Sequence, residues 1–399
     1  MPLSMEQKNV LRDIAAWLSS GRQQTLTLGG YAGTGKTTVV AALRLLLKKQ
    51  RPNWRVAFAA YTGKATQVLA EKLARTKLEL SKDTISTLHS LLYEPLTGPS
   101  GRITGWNRKN TIPYDLLIVD EASMLTREMW QDIKGFGVPV LAVGDHGQLP
   151  PIGDNFDLMK APQLRLTTIH RQAEESPIIH VATLAREQGH IPVEKFGPKV
   201  RKYDMTGSDA QLLIEELYQS YRPDTLFLTG FNDSRIGINH SIRQTLYRDP
   251  DRPESGDQVI CLRNNWQKGI YNGMMGVLQS VKVAENPSDE YSSYDIDVVA
   301  QDGQSLYSGL AIAEQFGADN TLNLTPKERE NIGELFDYGY ALTVHKAQGS
   351  QARKVLVIEE RSQHTSDEEW ARWLYTAVTR AEEELYIFGA PEPYSRPGK

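Results

Sequence analysis

Short apolar runs alternate with longer stretches of helical period through the first 165 residues of the chain. Thr25 to Leu28, Val56 to Tyr61, Leu116 to Asp120 and Val138 to Val143 end in loops that carry polar or glycine residues. Runs so short and so evenly apolar predict buried strands of a parallel sheet, with the periodic stretches as crossover helices. A second series, at Thr225 to Gly230, Lys354 to Glu359 and Leu385 to Phe388, predicts another sheet whose halves lie far apart in the chain. Between them, residues 252–331 are β-rich with turn signals at Asn272-Gly273, Asp302-Gly303 and Asn286-Pro287-Ser288-Asp289, which predicts a small inserted β-barrel. Residues 93–112 interrupt the first series with a turn-rich stretch and predict a protrusion with a basic, aromatic tip around Arg102, Trp106, Arg108 and Lys109. The fold class is therefore α/β.

Composition narrows the setting more than the task. A chain of 399 residues has room for two or three domains with buried cores. The single cysteine, Cys261, excludes an internal disulfide and suits a reducing compartment, with a small buried residue as its expected role. The start, Met1-Pro2-Leu3-Ser4, lacks a basic segment followed by an apolar one, and no run of about 18 apolar residues occurs. The expectation is a cytoplasmic protein with no membrane partner. A formal charge of −4 and a pI near 6.1 give no global basic field, so any polyanion must be held in a local groove. The eight histidines show no zinc spacing.

Gly30-Tyr31-Ala32-Gly33-Thr34-Gly35-Lys36-Thr37 is a complete G-x-x-x-x-G-K-T loop between a predicted strand and a predicted helix starting at Thr38. Glycines let successive N–H groups curl around phosphates, Lys36 reaches the β and γ oxygens, and the Thr37 hydroxyl suits Mg²⁺. Gly30, Gly33, Thr34, Gly35, Lys36, Thr37 and Thr38 thus form the expected nucleotide cradle. Leu116-Leu117-Ile118-Val119-Asp120-Glu121 is an apolar strand ending in two carboxylates. Asp120 would hold the Mg²⁺, directly or through water, and Glu121 would orient or deprotonate the attacking water.

Further motifs follow in order: Ala60-Tyr61-Thr62-Gly63-Lys64-Ala65-Thr66, Thr84-Ile85-Ser86-Thr87-Leu88-His89, Gly144-Asp145-His146-Gly147-Gln148-Leu149-Pro150-Pro151, Leu166-Thr167-Thr168-Ile169-His170-Arg171-Gln172, Tyr340-Ala341-Leu342-Thr343-Val344-His345-Lys346-Ala347-Gln348-Gly349 and Leu374-Tyr375-Thr376-Ala377-Val378-Thr379-Arg380-Ala381. With the phosphate loop and Asp120-Glu121 they resemble, almost end to end, a superfamily 1 DNA helicase of the 5′-to-3′ branch, most similar to Dda-like and RecD-like members. Tyr61 departs from the proline usual there.

The resemblance implies two RecA-like P-loop domains, at residues 1–92 with 113–165 and at residues 166–251 with 332–399. It implies a separating pin at residues 93–112 and an SH3-like barrel at residues 252–331. It assigns Arg171 and Arg380 as arginine fingers, Gln148 as the γ-phosphate sensor and Gln7 as the adenine reader, with ATP and Mg²⁺ as cofactors. Thr62, Gly63, Thr87, His89, Thr343, His345 and Lys346 match DNA-contacting positions, and Trp106 is the candidate at the fork. Trp266 and Tyr271 are read as barrel core. Expected partners are single-stranded DNA, a duplex fork and single-strand-binding or replication proteins, with the chain a monomer acting in replication, repair or recombination. Two rivals stay open at this point. One is a nucleic-acid-stimulated ATPase that remodels protein–DNA or RNA complexes without processive unwinding. The other is a nucleotide-gated binding module.

Overall fold

The computed structural model describes residues 3–61, 63–74, 82–97, 103–151, 156–170, 175–263, 265, 268–270, 272–285, 290–300 and 305–394. Three sheets and a hairpin organise these residues. The first sheet contains β1 (Thr25–Gly30), β2 (Val56–Ala60), β3 (Thr84–Thr87), β6 (Leu116–Asp120), β7 (Val140–Gly144) and β8 (Leu164–Leu166), in the order β3-β2-β6-β7-β1-β8. All pairings within it are parallel. Every strand therefore delivers its carboxyl end to one edge, where ligands of open α/β sheets gather. β2 is buried at every position, as fits a strand covered on both faces.

The second sheet has the order β17-β11-β18-β19-β10-β9. It is built from β9 (Lys195–Gly197), β10 (Val200–Asp204), β11 (Thr225–Thr229), β17 (Ala341–Thr343), β18 (Ala352–Ile358) and β19 (Ala381–Gly389). Only β9 runs antiparallel to its neighbour. The sequence foreshadows the long strands to within a few residues. It does not foreshadow β9, β10 or β17 of this sheet, nor β8, three residues long, or β3, whose four positions are all half-buried, in the first. The helix after the phosphate loop, Lys36–Gln50, starts two residues earlier than the apolar pattern suggests.

The third sheet, β15-β14-β13-β12-β16, is antiparallel throughout. Its members are β12 (Gln258–Cys261), β13 (Met275–Val283), β14 (Ser293–Val299), β15 (Ser305–Ile312) and β16 (Phe336–Tyr338). Its last member lies beyond residue 331, where the β-rich stretch was expected to end. Gly273, at a φ of +88°, supports the turn that returns its N–H to the Cys261 carbonyl at 2.8 Å. The turns expected at Asn286-Pro287-Ser288-Asp289 and Asp302-Gly303, together with Trp266 and Tyr271, lie outside the described residues. Cys261 is fully buried in this sheet's core, and burial pushes its thiol up to about 12.

β4 (Tyr93–Thr97) and β5 (Ile103–Arg108) pair antiparallel as a hairpin. Trp106 pairs with Pro95, midway along the ladder, which corrects its expected place at the tip. Gly98 to Arg102 and the indole of Trp106 lie outside the described parts. Arg108 does not project freely: its guanidinium sits 4.3 Å over the Phe136 ring and 3.8 Å from Asp132. Lys109 Nζ donates to the Ser90 and Leu91 carbonyls at 2.8 and 2.9 Å. Both cations fasten the root of the hairpin instead of reaching outward for phosphates.

Candidate active site

β1 ends at Gly30, and the chain turns through Tyr31 to Gly35 into the helix Lys36–Gln50. A Cβ at Gly30 would stand 2.7 Å from Thr34 Oγ1, and Gly33 and Gly35 adopt φ of +81° and +80°. Left-handed residues placed this way turn successive N–H groups into one concave nest suited to an anion. Thr34 is buried, and its hydroxyl donates to the Tyr31 carbonyl at 2.8 Å, so its side chain holds the loop closed. Thr37, half-buried, and Thr38, exposed, lie in the first helical turn.

Lys36 Nζ donates to the Gly30 and Tyr31 carbonyls at 2.5 and 3.1 Å and stands 3.8 Å from Asp145 Oδ2. Neutral carbonyls hold an ammonium less strongly than phosphate would, so the charge is available to a nucleotide. Asp120 closes β6, and its Oδ1 accepts the Glu121 N–H at 3.0 Å. Glu121 itself adopts a left-handed φ of +53°. Burial raises the Glu121 carboxyl above its ordinary value and the Asp120 charge adds to this, while Arg380 and Lys36 act against it. Those four groups therefore share one electrostatic neighbourhood.

ATP and Mg²⁺ fit this set of donors. β7 alone separates β1 from β6, so the phosphate loop and Asp120 open on the same edge of the sheet. Gln148 Oε1 is buried with no hydrogen-bond partner among the described residues, as suits a group kept for a polar ligand. No cluster of three or more metal-binding His, Cys, Asp or Glu occurs among the described residues. The Thr37 hydroxyl and Asp120 carboxylate suit a hard ion that draws its remaining oxygens from phosphate and water.

Arg380 comes from the second sheet's layer, between the helix Asp367–Val378 and β19. Only 2 % exposed, it donates from Nε to the Thr376 carbonyl at 3.0 Å, from Nη1 to the Ser350 carbonyl at 3.3 Å and from Nη2 to Thr379 Oγ1 at 3.2 Å. Arg171 lies outside the described residues, but His170 beside it donates its N–H to the Gly33 carbonyl at 3.3 Å. Gln7 is not a solvated helix-start residue. It is buried, with Oε1 accepting the Ser4 N–H at 3.1 Å and Nε2 donating to the Thr34 carbonyl at 3.2 Å. To read adenine, its amide would have to give up the bond to Thr34.

The residues matched to DNA contacts divide between the two layers. Gly63 opens the helix Gly63–Ala74, and Thr62 lies outside the described residues. Thr87 caps the helix Leu88–Leu92, its hydroxyl accepting the Ser90 N–H at 3.3 Å. His89 stacks on Tyr93 at 4.7 Å, and burial, helped by Lys109, lowers its pKa to about 4. It is therefore neutral at physiological pH and offers no cation to a phosphate. Thr343 ends β17, His345 is exposed, and Lys346 is half-buried near Arg235, which pairs with Asp337.

Sequence reasoning gave no role to the seam between the layers. Tyr375 from the helix Asp367–Val378 donates its hydroxyl to Asp145 Oδ2 at 2.6 Å and accepts the Ala32 N–H of the phosphate loop at 2.8 Å. The neighbouring Tyr31 ring has the Arg186 guanidinium 3.8 Å from its centre and the His146 ring at 4.1 Å. Leu149 N–H donates to Thr376 Oγ1 at 3.0 Å. An aromatic placed five residues before a candidate arginine finger was the available signal.

A phosphate nest with a lysine, two carboxylates at a strand end and a buried arginine from the layer of a second, mostly parallel sheet define a P-loop nucleoside triphosphatase of two RecA-like layers. Residues 2–207 match the AAA domain, and residues 338–388 match the UvrD-like helicase C-terminal domain. The chain belongs to the AAA domain family and is similar to RecD-like helicases. It is 29% identical over 409 residues to the ATP-dependent RecD2 DNA helicase of Deinococcus radiodurans, covering 97% of this chain and 49% of that protein. It is 29% identical over 418 residues to the RecBCD enzyme subunit RecD of Mycolicibacterium smegmatis, covering 92% and 69% respectively. The chain thus spans about half the length of the first relative. Its fold resembles that of Pif1 helicases solved at forked duplex DNA, with a TM-score of 0.52, 20% identity and coverage of 99% of this chain and 93% of that one. Among the described residues no helix is long and apolar enough to cross a membrane.

Proposed function

We propose that the chain is an ATP-dependent DNA helicase that moves 5′ to 3′ along single-stranded DNA and unwinds duplex DNA. The observation that carries this reading is the junction of the two layers at the phosphate loop, where the Tyr375 hydroxyl of the second layer binds Ala32 and Asp145 of the first, five residues before the buried Arg380. A cation delivered from a separate layer stabilises the charge that spreads over the γ-phosphoryl oxygens, so hydrolysis depends on the layers being together. ATP bound with Mg²⁺ supplies the phosphoryl chemistry. Lys36 and the loop amides would hold the phosphates, and Glu121 would orient water and accept its proton. Closure with ATP and opening after hydrolysis move the strand one way.

In this reading residues 1–92 with 113–165 and residues 166–251 with 332–399 are the two motor domains. The β4–β5 hairpin is the separating pin, and the third sheet is the SH3-like barrel. Thr62, Gly63, Thr87, Thr343, His345 and Lys346 line the track, with His89 packed behind it as a neutral ring. The DNA track draws support from the relatives, one named a DNA helicase and another solved at a fork.

The test is unwinding of duplexes bearing only a 5′ or only a 3′ single-stranded tail, with ATP and Mg²⁺ and with Lys36→Ala as control. Opening of the 5′-tailed duplex by the parent and of neither by the variant is expected. ATP hydrolysis on bare single strands without unwinding would favour a remodelling ATPase. Preference for the 3′ tail would refute the polarity.

A further inference from the structure

At the interlayer seam, the Tyr375 hydroxyl engages both its proton and its oxygen. The residue is 2 % exposed, and burial, with Asp145 beside it, pushes its phenol well above the ordinary tyrosine range, so it keeps its proton. The hydroxyl has one proton. That proton goes to Asp145 Oδ2 at 2.6 Å, which leaves the oxygen to accept the Ala32 N–H at 2.8 Å. A single atom of the second layer thus fixes both an amide of the phosphate loop and the carboxylate that stands 3.8 Å from Lys36 Nζ. Asp145 is held in turn by the Gly147 N–H on Oδ1 at 2.9 Å, and a Cβ at Gly147 would come within 3.0 Å of both the Tyr31 and Tyr375 rings. The fit leaves no slack for the ring to tilt away.

The other end of this connection is Arg380. Its Nε binds the carbonyl of Thr376, the residue after Tyr375, and the Thr376 hydroxyl accepts the Leu149 N–H from the loop that carries Asp145. The loop that would hold the phosphates and the arginine that would neutralise them are therefore joined through one helical turn.

We propose that Tyr375 is a positioning residue of the phosphate loop. Its hydroxyl ties Ala32 and Asp145 to the second layer, so that the rate of hydrolysis, rather than affinity for ATP, follows the approach of the layers. The proposal rests on the ATPase reading above. It assigns Tyr375 no contact with the reacting atoms.

Tyr375→Phe removes the hydroxyl and keeps the ring. Two measurements on the full chain decide the matter: steady-state ATPase with saturating single-stranded DNA, and hydrogen–deuterium exchange of the nucleotide-free protein. The variant should lose about tenfold in kcat, the scale of one hydrogen bond to a charged group, with KM for ATP within about twofold. The peptide containing Ala32 should exchange several-fold faster while that of β2 is unchanged. Unchanged exchange at Ala32 would overturn the proposal whatever the activity. Faster exchange with unchanged kcat would also overturn it, because the tie would then not govern hydrolysis. A parent that hydrolyses no ATP would sink the helicase reading instead, and the exchange comparison would still decide whether the hydroxyl holds the loop.

Discussion

Gln348 of the second layer donates its side-chain amide to the Leu149 carbonyl of the first at 2.6 Å, with the Pro150 carbonyl also in reach at 3.3 Å. Leu149 itself is buried in the second layer's apolar cluster, beside Val344, Ala347 and Leu374. Gln348→Ala strands a buried carbonyl and should cost about 1–3 kcal/mol of stability. Basal ATPase should stay near the parent value while stimulation by single-stranded DNA drops several-fold. Equal stimulation in the two proteins would mean that Gln348 only packs the seam.

Arg380 carries structural bonds as well as charge. Arg380→Ala should lower hydrolysis by about 10³, the scale of a lost arginine finger. It should also lower the melting temperature, because the Ser350 and Thr376 carbonyls each lose a donor, Thr376 keeping the Thr379 hydroxyl. Arg380→Lys should recover part of the activity but not the stability, since an ammonium cannot reproduce the three directions of the guanidinium. A variant with parent-like hydrolysis and a lowered melting temperature would leave Arg380 purely structural.

Lys202 and Glu359 form a buried pair at 2.8 Å, and Glu359 Oε1 has no hydrogen-bond partner among the described residues. Burial raises the Glu359 carboxyl from 4.5 to about 7, with Lys202 opposing. A raised carboxyl binds its proton more tightly folded than unfolded. Its contribution to stability is full below pH 4.5 and is lost as pH rises through about 7. Glu359→Gln should therefore show a flatter stability profile across that window in urea titrations. A parent and variant that run parallel from pH 4.5 to 7 would contradict it.

Trp106 lies in β5 opposite Pro95. If the hairpin divides strands, Trp106→Ala should slow unwinding while leaving DNA-stimulated ATPase near the parent level, because base–aromatic stacking of about 1–3 kcal/mol is lost at the fork alone. Loss of both activities together would mark the indole as a packing residue.

The long buried strands were legible because burial on both faces writes an unbroken apolar run, as in Val56–Ala60 and Leu116–Asp120. β3 and β8 were not, since three of the four residues in Thr84–Thr87 are polar and Leu164–Leu166 spans three residues. The phosphate loop could be read directly because its spacing is dictated by local backbone geometry. The Tyr375–Ala32 tie could not, since it joins residues 343 apart in sequence and exists only once two sheets are built and packed. The burial of Gln7 was hidden for a related reason: a polar residue at a helix start gives no sign that a distant loop will cover it.

Cys261 is the chain's single cysteine, and its sulfur is sealed in the third sheet with a thiol that resists ionisation. Thiol reagents act on thiolates, so the parent protein should be nearly silent toward maleimides. Fluorophores or spin labels could then be attached at one introduced surface cysteine on each layer with little background and no need to delete the natural residue. The opening and closing on which every functional expectation above depends could thus be watched directly, one molecule at a time.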